Sequence, residues 1–336
     1  MKIMILGIDG YIGWALAMHL ANRGHEVSGL DAFKRRDWVR EVGSNSAIPI
    51  EHLAVRTYKF KETTGKEIVW YSCDISKEPE RLEYLIKKHQ PECVVHLAEQ
   101  PSAPFSMKSR KHSVLTQRNN DLGTLNLIHA IRNNAPDCHI LKLGTMGEYG
   151  TPDIDIEEGF LEIEHKGRKD TVPYPKQPGS FYHASKCHDT INMILACNIW
   201  GQRSTDIMQG VVYGTRTDDM VISELRTRFD YDDYFGTCIN RFCAQAVKGF
   251  TLTPYGKGGQ TRGYIALRDS VQCLTIAAEN PPAEGEYRVF NQFDDTFSIM
   301  DIAQKVKDAG SEVGIDVTWK NIENPRVEME EHYYNP

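Results

Sequence analysis

The side chains best suited to acid–base chemistry in this sequence are Tyr182 and Lys186, which lie four residues apart in the string FYHASK. On a helix, residues at this spacing share a face, so both would point into one site. A lysine ammonium beside a phenol favours the phenolate and lowers the tyrosine pKa. Such a phenolate can remove a hydroxyl proton while hydride leaves the same carbon. Because the pair also occurs on surface helices, it predicts a reaction only alongside a cofactor site.

A glycine-rich loop near the start of the chain predicts that cofactor site. Gly7, Gly10 and Gly13 form a GxxGxxG pattern between the apolar run KIMIL and an amphipathic stretch. Glycines let the backbone approach a pyrophosphate, and the helix that follows supplies oriented N–H groups. Asp31, at the end of the second predicted strand, would bind the adenosine ribose diol and disfavour a 2′-phosphate. NAD is therefore predicted rather than NADP.

Further cofactor contacts are expected where other predicted strands end. Arg35 and Arg36 keep NADP open as an alternative, because either side chain could meet a phosphate. Asp74 either meets the adenine edge or caps a helix. Lys186 could also hold the nicotinamide ribose, next to Tyr182. The remaining predicted cofactor residues are Asp9, Tyr11, Ile12, Ile75, Leu97, Ala98, Glu99, Asn119 and Asn120.

A second cluster of reactive side chains, Thr145, Met146 and Glu148, lies in the string KLGTMGEYG. The start of this string predicts the end of a buried strand, and its Tyr-Gly end predicts the loop that leaves it. Doubly wound folds bind their ligands at the carboxyl ends of the strands. We therefore predict that Thr145 lies beside the reacting groups, whereas Met146 either faces them or packs in the core.

The elements that must position these residues alternate between strand and helix in the first half of the chain. The predicted strands are KIMILGI, EVSGLD, EIVWYSCDI, CVVHLAE and HILKLGT. This alternation predicts an α/β protein with a doubly wound, parallel Rossmann sheet and a smaller C-terminal substrate-binding lobe. We predict a cofactor domain over residues 1–205, with contributions from about 235–275, and a lobe formed mainly by 206–336. Residues 34–66 are expected to form an excursion over the site.

Composition excludes several other classes of protein. The chain has 336 residues, a net charge of −7 and a pI near 6.0, which argues against a nucleic-acid binder. No apolar run reaches the length of a membrane span, and the start MKIMILGIDG predicts a first strand rather than a signal peptide. The 8 cysteines occur singly without a CxxC pair, so no metal site is predicted and a reducing, cytoplasmic location is expected.

Taken together, these features resemble the extended short-chain dehydrogenases/reductases that act on nucleotide sugars. The longer strings GIDGYIGWA, KLGTMGEYGTPDIDIEEG, YPKQPGSFYHASK, QGVVYG, YGKGGQTRGY, VFNQF and NPRVEMEEHYYN resemble members that build a sulfonated sugar from UDP-glucose and sulfite with tightly held NAD. The likeness runs over essentially the whole chain. It implies a homodimer through two long helices. It leaves open a sulfite-delivering partner and whether the sugar goes to a lipid or a glycan.

The resemblance implies a reaction in three stages. NAD oxidises C4, loss of the C5 proton and the C6 hydroxyl gives a 4-keto-5-ene, and sulfite adds at C6 before hydride returns to C4. Thr145 and Tyr182 would flank the C4 oxygen, with Lys186 tuning Tyr182. Related sugar 4,6-dehydratases carry Thr-Asp-Glu at this strand end, where the aspartate is the C6 acid and the glutamate the C5 base.

Aligned on the trailing Tyr-Gly, Met146 stands at the aspartate position and Gly147 at the glutamate position. Glu148 comes one place late, so its role as the C5 base is left open. His183 is the candidate replacement for proton transfer at C5 or C6, with a helix-surface histidine as the alternative. A neutral thioether at position 146 would spare the sulfite anion the repulsion of a carboxylate, worth several kcal/mol at about 4 Å.

The resemblance also suggests residues for the UDP end of the substrate. Arg262 and Arg326 match positions at which related epimerases hold the diphosphate. Arg241 and Lys257 are weaker candidates that could instead form surface ion pairs. Gln209 is expected to face the sugar, and Tyr255 either packs on the uracil or lies in the core of the lobe. Plant relatives carry arginine where this chain has Pro101, so Gln100 or Arg110 would have to replace it.

Two other functions remain open at the level of sequence. One is a UDP-glucose 4-epimerase or 4,6-dehydratase on the same scaffold. The other is an NAD-binding regulatory protein, which would need neither Tyr182 nor Lys186. The chain ends at Asn335-Pro336, about where relatives enter further helices, which leaves its completeness open.

Overall fold

A computed structural model describes residues 1–324 of the chain. Its strands are β1 (Lys2–Leu6), β2 (Glu26–Asp31), β3 (Ile68–Ser72), β4 (Cys93–His96), β5 (His139–Leu143), β6 (Phe160–His165), β7 (Arg168–Pro173), β8 (Arg203–Gln209), β9 (Val211–Tyr213), β10 (Thr261–Ala266), β11 (Tyr287–Gln292) and β12 (Asp295–Ser298). Its helices are α1 (Tyr11–Asn22), α2 (Lys34–Glu41), α3 (Leu53–Thr64), α4 (Pro79–His89), α5 (Ala103–Met107), α6 (Arg110–Asn134), α7 (Phe181–Trp200), α8 (Cys238–Val247), α9 (Leu267–Glu279) and α10 (Ile299–Glu312).

The large sheet has seven strands in the order β11-β8-β5-β4-β1-β2-β3, and all of its pairs are parallel. Strands such as β1 and β4 are short apolar runs that are buried along almost their whole length, as expected when helices cover both faces of a sheet. The strand order reverses between β1 and β4. Ligands of such sheets bind in the crevice that opens at this reversal, outside the carboxyl ends of the strands.

Helices pack on both faces of this sheet. On one face, α1 and α9 share a core with Trp14, Leu16 and Leu274, and on the other face Leu127, Ile131 and Met193 come from α6 and α7. The helices therefore bury their apolar stripes against the strands and carry the loops between them to one edge. Among residues 1–324, no helix combines the length and the apolar character needed to cross a membrane.

A smaller unit stands beside the sheet and has its own core. The strands β9, β10 and β12 form a second sheet, and α8 and α10 pack on it around Phe242, Tyr264 and Ile302. The strands β6 and β7 form a separate hairpin that pairs only with itself among the described strands. The smaller unit lies next to the carboxyl edge of the large sheet because β8 leads directly into β9.

The predicted α/β class and parallel sheet are confirmed, but several elements differ from expectation. The predicted excursion over residues 34–66 contains the helices α2 and α3, and its Lys34, Arg35 and Trp38 line the large cavity at the carboxyl edge of the sheet. The hairpin β6–β7 was not predicted. The division of the chain near residue 205 stays a proposal. The strand β11, which lies outside the predicted contribution of about 235–275, pairs with β8 in the large sheet.

Candidate active site

The loop between β1 and α1 adopts a shape that only glycine permits. Gly7 has a φ of +88°, and a Cβ there would lie 2.7 Å from the Leu97 carbonyl oxygen. A Cβ on Gly13 would lie 2.2 Å from the Gly7 carbonyl oxygen. These contacts press the loop against the strand and the helix, which leaves an open cradle in front of it. The N-cap of α1 is Gly10, which has no side chain to bind the first N–H groups of the helix. These groups are therefore open to an anion such as a pyrophosphate.

The carboxylate of Asp31 is held firmly at the end of β2. It accepts hydrogen bonds from the backbone N–H groups of Asp9, at 2.8 Å, and Phe33, at 2.6 Å. Burial, followed by the nearby Asp9 carboxylate, raises the pKa of Asp31 to about 6. An oriented carboxylate at this position suits the adenosine ribose diol, as the sequence predicted.

The two arginines that kept NADP open as an alternative are both engaged elsewhere. Arg36 binds Asp9 through two nitrogens, at 2.7 Å and 2.9 Å, and the buried Arg56 binds the same carboxylate. Arg35 binds Asp230 at 2.7 Å. Because carboxylates already neutralise these guanidinium groups, neither is placed to receive a 2′-phosphate. The geometry favours NAD, and Arg36 does not line the cavity.

One cavity of about 380 Å³ collects most of the predicted cofactor and reaction residues. Its wall contains Gly7, Asp9, Gly10, Tyr11, Ile12, Gly13, Asp31, Arg35, Asp74, Ile75, Leu97, Ala98, Glu99, Asn119, Thr145, Tyr182, Lys186 and Gln209. Residues far apart in the chain therefore meet at the edge where the strand order reverses. Asn120 lies behind this wall, fully buried, and binds Gln100 and Ser185.

Sequence reasoning missed part of this cavity. Lys34 binds Asp74 at 2.6 Å and Asn119 at 3.1 Å, which joins three elements around the predicted adenine end. Segment 228–240 also crosses the cavity and contributes Arg228, Asp230, Tyr234, Phe235, Thr237 and Asn240. Lys34 was hidden in the polar run KRRD, and segment 228–240 carries no periodic pattern. The only available signal was its density of aromatic and acidic residues.

Tyr182 and Lys186 lie on one face of α7, which begins at the capping residue Ser180. The Lys186 ammonium donates to the Leu143 carbonyl oxygen at 2.7 Å and forms an ion pair with Glu99 at 2.7 Å. Burial raises the pKa of Tyr182, and the opposing effect of Lys186 does not offset it. The predicted lowering of the tyrosine pKa is therefore wrong for this structure.

Thr145 and Glu148 belong to a short 3-10 turn that follows β5. The Thr145 hydroxyl caps the turn by accepting from the Gly147 N–H at 3.2 Å, while Glu148 points into the interior and is fully buried. Its carboxylate contacts the Lys142 ammonium at 3.2 Å and accepts from the Thr190 hydroxyl at 2.9 Å. The structure therefore does not support Glu148 as the C5 base, because Lys142 and Thr190 occupy its oxygens.

Lys142 is the centre of this buried ionic group. It is fully buried and also contacts the Asp206 carboxylate at 2.9 Å. Burial alone would lower the pKa of Lys142, but Asp206 and Glu148 outweigh burial and raise it. The ionic group of Lys142, Glu148 and Asp206 thus joins β5, the 3-10 turn and β8. It therefore fixes the position of the turn that Thr145 caps.

We expect the Lys142→Met variant to lose about 3–5 kcal/mol of unfolding free energy, because two buried carboxylates would lose their cation. Urea unfolding measures this loss. The matched control is Lys169→Met, whose lysine is 80% exposed and pairs loosely with Glu164 at 3.6 Å. We expect that control to change stability by less than about 0.5 kcal/mol. Equal, small effects of both substitutions would contradict the assigned role of Lys142.

The side chain of Met146 lies in the core rather than on the cavity wall. It is 6% exposed and belongs to the apolar cluster that contains Ile140, Tyr149 and Met193. Met146 is absent from the described lining of both cavities, whereas its neighbour Thr145 is present. The structure therefore does not support the hypothesis that the thioether faces the sulfite-accepting carbon, and it favours core packing.

His183 occupies the space that a side chain at position 147 would need. A Cβ on Gly147 would lie 2.3 Å from His183 Nε2, so only glycine lets the imidazole reach this place. The ring is partly exposed and lies 5.2 Å, between centroids, from the ring of Tyr182. Burial, followed by the charge of Arg262, lowers the pKa of His183 to about 4. The imidazole is therefore neutral near pH 7 and can accept a proton.

The fully buried His96 and His139 predict how stability depends on pH. Burial lowers the pKa of His96 to about 4 and that of His139 to about 3. Below about pH 6.5 the unfolded chain takes up protons that the folded chain refuses, so stability falls between pH 6.5 and 4 by about 3 kcal/mol for each histidine. Asp31, whose folded pKa is raised to about 6, partly offsets this loss by taking up a proton in the folded state.

Urea unfolding over this pH range checks the prediction. The His139→Gln variant should show a flatter decline than the parent protein, because the imidazole that binds the Thr205 hydroxyl at 2.9 Å would be gone. The control variant, His165→Gln, removes an exposed histidine of the hairpin and should keep the parent slope. Parallel curves for all three proteins would contradict the prediction.

A second cavity, of about 170 Å³, lies in the smaller unit and contains three predicted substrate residues, Arg241, Tyr255 and Arg262. The guanidinium of Arg241 stacks 4.0 Å from the centroid of the Tyr255 ring. Lys257 is exposed and does not line this cavity, and the predicted Arg326 lies outside the described residues. The cavity therefore combines two arginines with an aromatic ring, and Arg241 also pairs with the exposed Asp233 carboxylate at 3.3 Å.

Gln100 does not reach either cavity. It is fully buried, and its amide nitrogen donates to the Ser102 carbonyl oxygen at 3.0 Å and to the Thr116 hydroxyl at 2.8 Å. The prediction that Gln100 binds substrate is therefore wrong. Arg110, the other suggested replacement, is exposed at the start of α6.

Comparison with known proteins agrees with this geometry. Residues 3–291 match the NAD dependent epimerase/dehydratase family. The chain is 50% identical over 335 residues to the chloroplastic UDP-sulfoquinovose synthase of Spinacia oleracea, covering 99% of this chain and 69% of that protein. It is 49% identical over 337 residues to the UDP-sulfoquinovose synthase of Sulfolobus acidocaldarius, covering 100% of this chain and 86% of that protein.

A solved structure of Bacillus cereus UDP-glucuronic acid 4-epimerase, in complex with UDP-glucuronic acid and NAD, has the same fold. The TM-score is 0.73 at 20% identity, over 99% of this chain and 90% of that chain. The chain therefore belongs to the NAD dependent epimerase/dehydratase family and is an NAD-dependent enzyme. Two relatives named UDP-sulfoquinovose synthase are about half identical to this chain over nearly its whole length. This similarity places the chain, within that family, among the UDP-sulfoquinovose synthases.

Proposed function

We propose that this enzyme converts UDP-glucose and sulfite to UDP-sulfoquinovose, using bound NAD as a hydride carrier. One observation carries the proposal. Tyr182, Lys186 and Thr145 line the same cavity as the glycine loop, and a cation-rich cavity that suits a diphosphate lies beside it in the smaller unit. Val211 and Thr237 line both cavities, which supports one continuous site for cofactor and nucleotide sugar.

The residues around the first cavity fit NAD. The glycine cradle leaves space where any Cβ would intrude, and Asp31 presents a fixed carboxylate to a ribose diol. When bound, NAD accepts hydride from C4 of the sugar and later returns it. On the protein side, Tyr182 takes the proton of the C4 hydroxyl during oxidation and gives it back during reduction. Thr145 donates a hydrogen bond to the same oxygen, and Lys186 orients the ribose next to it.

The middle of the reaction needs a group that moves a proton at C5, and we assign this role to His183. Its imidazole fills the space left by Gly147, at the position aligned with the dehydratase base, and lies 5.2 Å, between ring centroids, from Tyr182 of the cavity wall. His183 itself is not among the described residues that line either cavity, so the proposal places it behind Tyr182 and Thr145. Burial and the charge of Arg262 lower its pKa to about 4, so it is neutral near pH 7 and accepts a proton only from a carbon acid as strongly activated as C5–H beside the C4 ketone. The C4 ketone acidifies C5–H, and His183 accepts that proton. The C6 hydroxyl leaves as water with a proton from solvent, and the proton released by the incoming bisulfite replaces it.

Sulfite then adds to the 4-keto-5-ene through its sulfur lone pair. The new C–S bond forms at C6, and C5 regains a proton from His183. Reduction at C4 restores the hydroxyl, so the sum is UDP-glucose plus bisulfite giving UDP-sulfoquinovose plus water. Arg241 and Arg262 are proposed to hold the diphosphate, and Tyr255 is proposed to support the uracil end, because they line the second cavity.

We also propose a homodimer. The helix α7 exposes Ile191, Leu195 and Ile199 at four-residue spacing, with exposures of 60%, 53% and 56%, and Leu122 of α6 is 46% exposed nearby. This spacing forms an apolar face on a helix pair, which is favourable to cover with a second copy. Light scattering measures the mass in solution.

All 8 cysteines are free, which supports the proposed reducing, cytoplasmic location.

Product analysis tests the proposed function directly. The protein is incubated with UDP-glucose, with and without sulfite, and the nucleotide sugars are separated and weighed by mass spectrometry. Formation of the sulfonated sugar only when sulfite is present supports the proposal. Formation of UDP-galactose, or of a 4-keto-6-deoxy sugar, in both incubations would assign the chain to epimerases or dehydratases instead.

A further inference from the structure

A buried carboxylate pairs with Lys186, the lysine that shares a helix face with the reacting phenol. Glu99 follows β4, its side chain is 3% exposed, and its Oε2 lies 2.7 Å from the ammonium nitrogen of Lys186. Its other oxygen lies 3.4 Å from Nε2 of the fully buried His96. Because burial lowers the pKa of His96 to about 4, this histidine is neutral near pH 7 and adds no second cation.

The Glu99 carboxylate and the Lys186 ammonium form one buried ion pair. Lys186 is 4% exposed and has the Leu143 carbonyl oxygen as its other close partner. Glu99 therefore offsets the ammonium charge, and the offset is large because little water screens the pair. The sequence assigned Glu99 to the cofactor, but its carboxylate binds the residue that serves Tyr182.

We propose that Glu99 is a positioning residue that balances the charge of Lys186, so that Tyr182 keeps the proton it takes from the C4 hydroxyl until the reduction step and can then return it to the sugar. This inference rests on the proposed function, in which one phenol must serve as both base and acid. A phenol with an unbalanced cation beside it would ionise readily but would return its proton slowly at the reduction step. The carboxylate therefore makes the oxidation step slower but keeps the proton transfer reversible, as the reduction step requires.

The charges around the phenol agree with this role. Burial raises the pKa of Tyr182, Lys186 lowers it, and Glu99 and Glu148 raise it, with a further lowering effect from Lys142. Glu148 and Lys142 largely cancel one another, since they form their own ion pair at 3.2 Å. Asp189 is also near Lys186 and fully buried, and burial, followed by the Glu99 carboxylate, raises its pKa.

The test is the pH dependence of NADH formation when the holoenzyme is mixed with UDP-glucose in the absence of sulfite. In the Glu99→Gln variant we expect the midpoint of the acidic limb to move down by about one pH unit, which is about tenfold more phenolate at a given acidic pH. With sulfite present, we expect slower reduction at C4 and a larger steady-state fraction of NADH than in the parent enzyme. An unchanged midpoint would overturn the proposal.

Two control variants separate charge from structure. Asp121→Asn removes another partly buried carboxylate of α6, which binds His188 at 3.1 Å and has no described contact with Lys186, and should keep the parent midpoint. Glu99→Asp keeps the charge and should restore the parent midpoint even if its rate falls. A shift of equal size in Asp121→Asn would also overturn the proposal. Absence of NADH formation in the parent enzyme would instead count against the proposed function.

A second comparison covers the case in which Glu99→Gln does not fold. Lys186→Met should leave Glu99 unbalanced, whereas Lys186→Met combined with Glu99→Gln removes both charges. The ionisation of Tyr182 is read from alkaline difference spectra against the same variants carrying Tyr182→Phe. We expect a midpoint about one pH unit higher in the single variant than in the combined variant. Equal midpoints would overturn the proposal.

Discussion

Replacement of Tyr182 by phenylalanine is expected to slow NADH formation from UDP-glucose by about 10²–10⁴-fold. The substitution keeps the ring, which is 9% exposed in the wall of the cavity, and removes only the hydroxyl that accepts the proton from O4. Lys186 cannot take over this role, because its pKa is raised and its ammonium already binds Leu143 and Glu99. Stopped-flow absorbance of NADH in a single turnover measures the rate.

The matched control for this prediction is Tyr234→Phe. Tyr234 lines the same cavity from segment 228–240, and its described contacts do not include Lys186. We expect its rate to stay within about threefold of the parent rate, with NAD content unchanged. A Tyr182→Phe enzyme that reduces NAD as fast as this control would show that another group removes the proton.

Replacement of His183 by asparagine is expected to stop the reaction one stage later. Loss of a general base costs about 10²–10⁴-fold in the step that it serves, so formation of the sulfonated sugar should fall by that factor. Oxidation at C4 uses Tyr182 instead, so NADH should still form and should accumulate. Exchange of the C5 hydrogen with deuterated solvent should be lost in parallel. Normal exchange together with normal product formation would contradict the assignment of His183.

Two further substitutions accompany the His183 experiment: one is a control, and the other should reproduce the His183 defect. Met146→Leu conserves volume in a buried position and should cost less than about 1.5 kcal/mol in stability, with near-parental sulfite addition. Gly147→Ala adds only a methyl group, but that group would lie 2.3 Å from His183 Nε2, so the imidazole must move. We expect this variant to resemble His183→Asn in product formation. A fully active Gly147→Ala enzyme would show that the position of the imidazole is unimportant.

The parts of the site that could be predicted from sequence are those set by local spacing. Gly13 is needed by a turn whose close partner, Gly7, lies in the same loop, and Asp31 ends its own strand. The pair Tyr182 and Lys186 depends only on helical periodicity. Each of these features involves one element or two adjacent ones, so the pattern of residues determines the geometry.

The parts that failed depend on contacts between distant segments. Lys142 looks like one polar residue in an apolar strand, and nothing local reveals that Glu148 and Asp206 would meet it. That meeting turns the Glu148 carboxylate inward. Met146 then packs into the core on the same turn. Gln100 was misassigned for a similar reason, because its partner Thr116 lies on a helix that starts after it.

The most direct test of the account follows the hydrogen at C4. UDP-glucose labelled with deuterium at C4 is converted in the presence of sulfite, and the product is examined by mass spectrometry and NMR. If bound NAD takes the hydride and returns it beside Tyr182, the product carries a sulfonate at C6, keeps deuterium at C4 and has solvent hydrogen at C5. A sulfonated product that has lost the C4 deuterium, or no sulfonated product at all, would contradict the account.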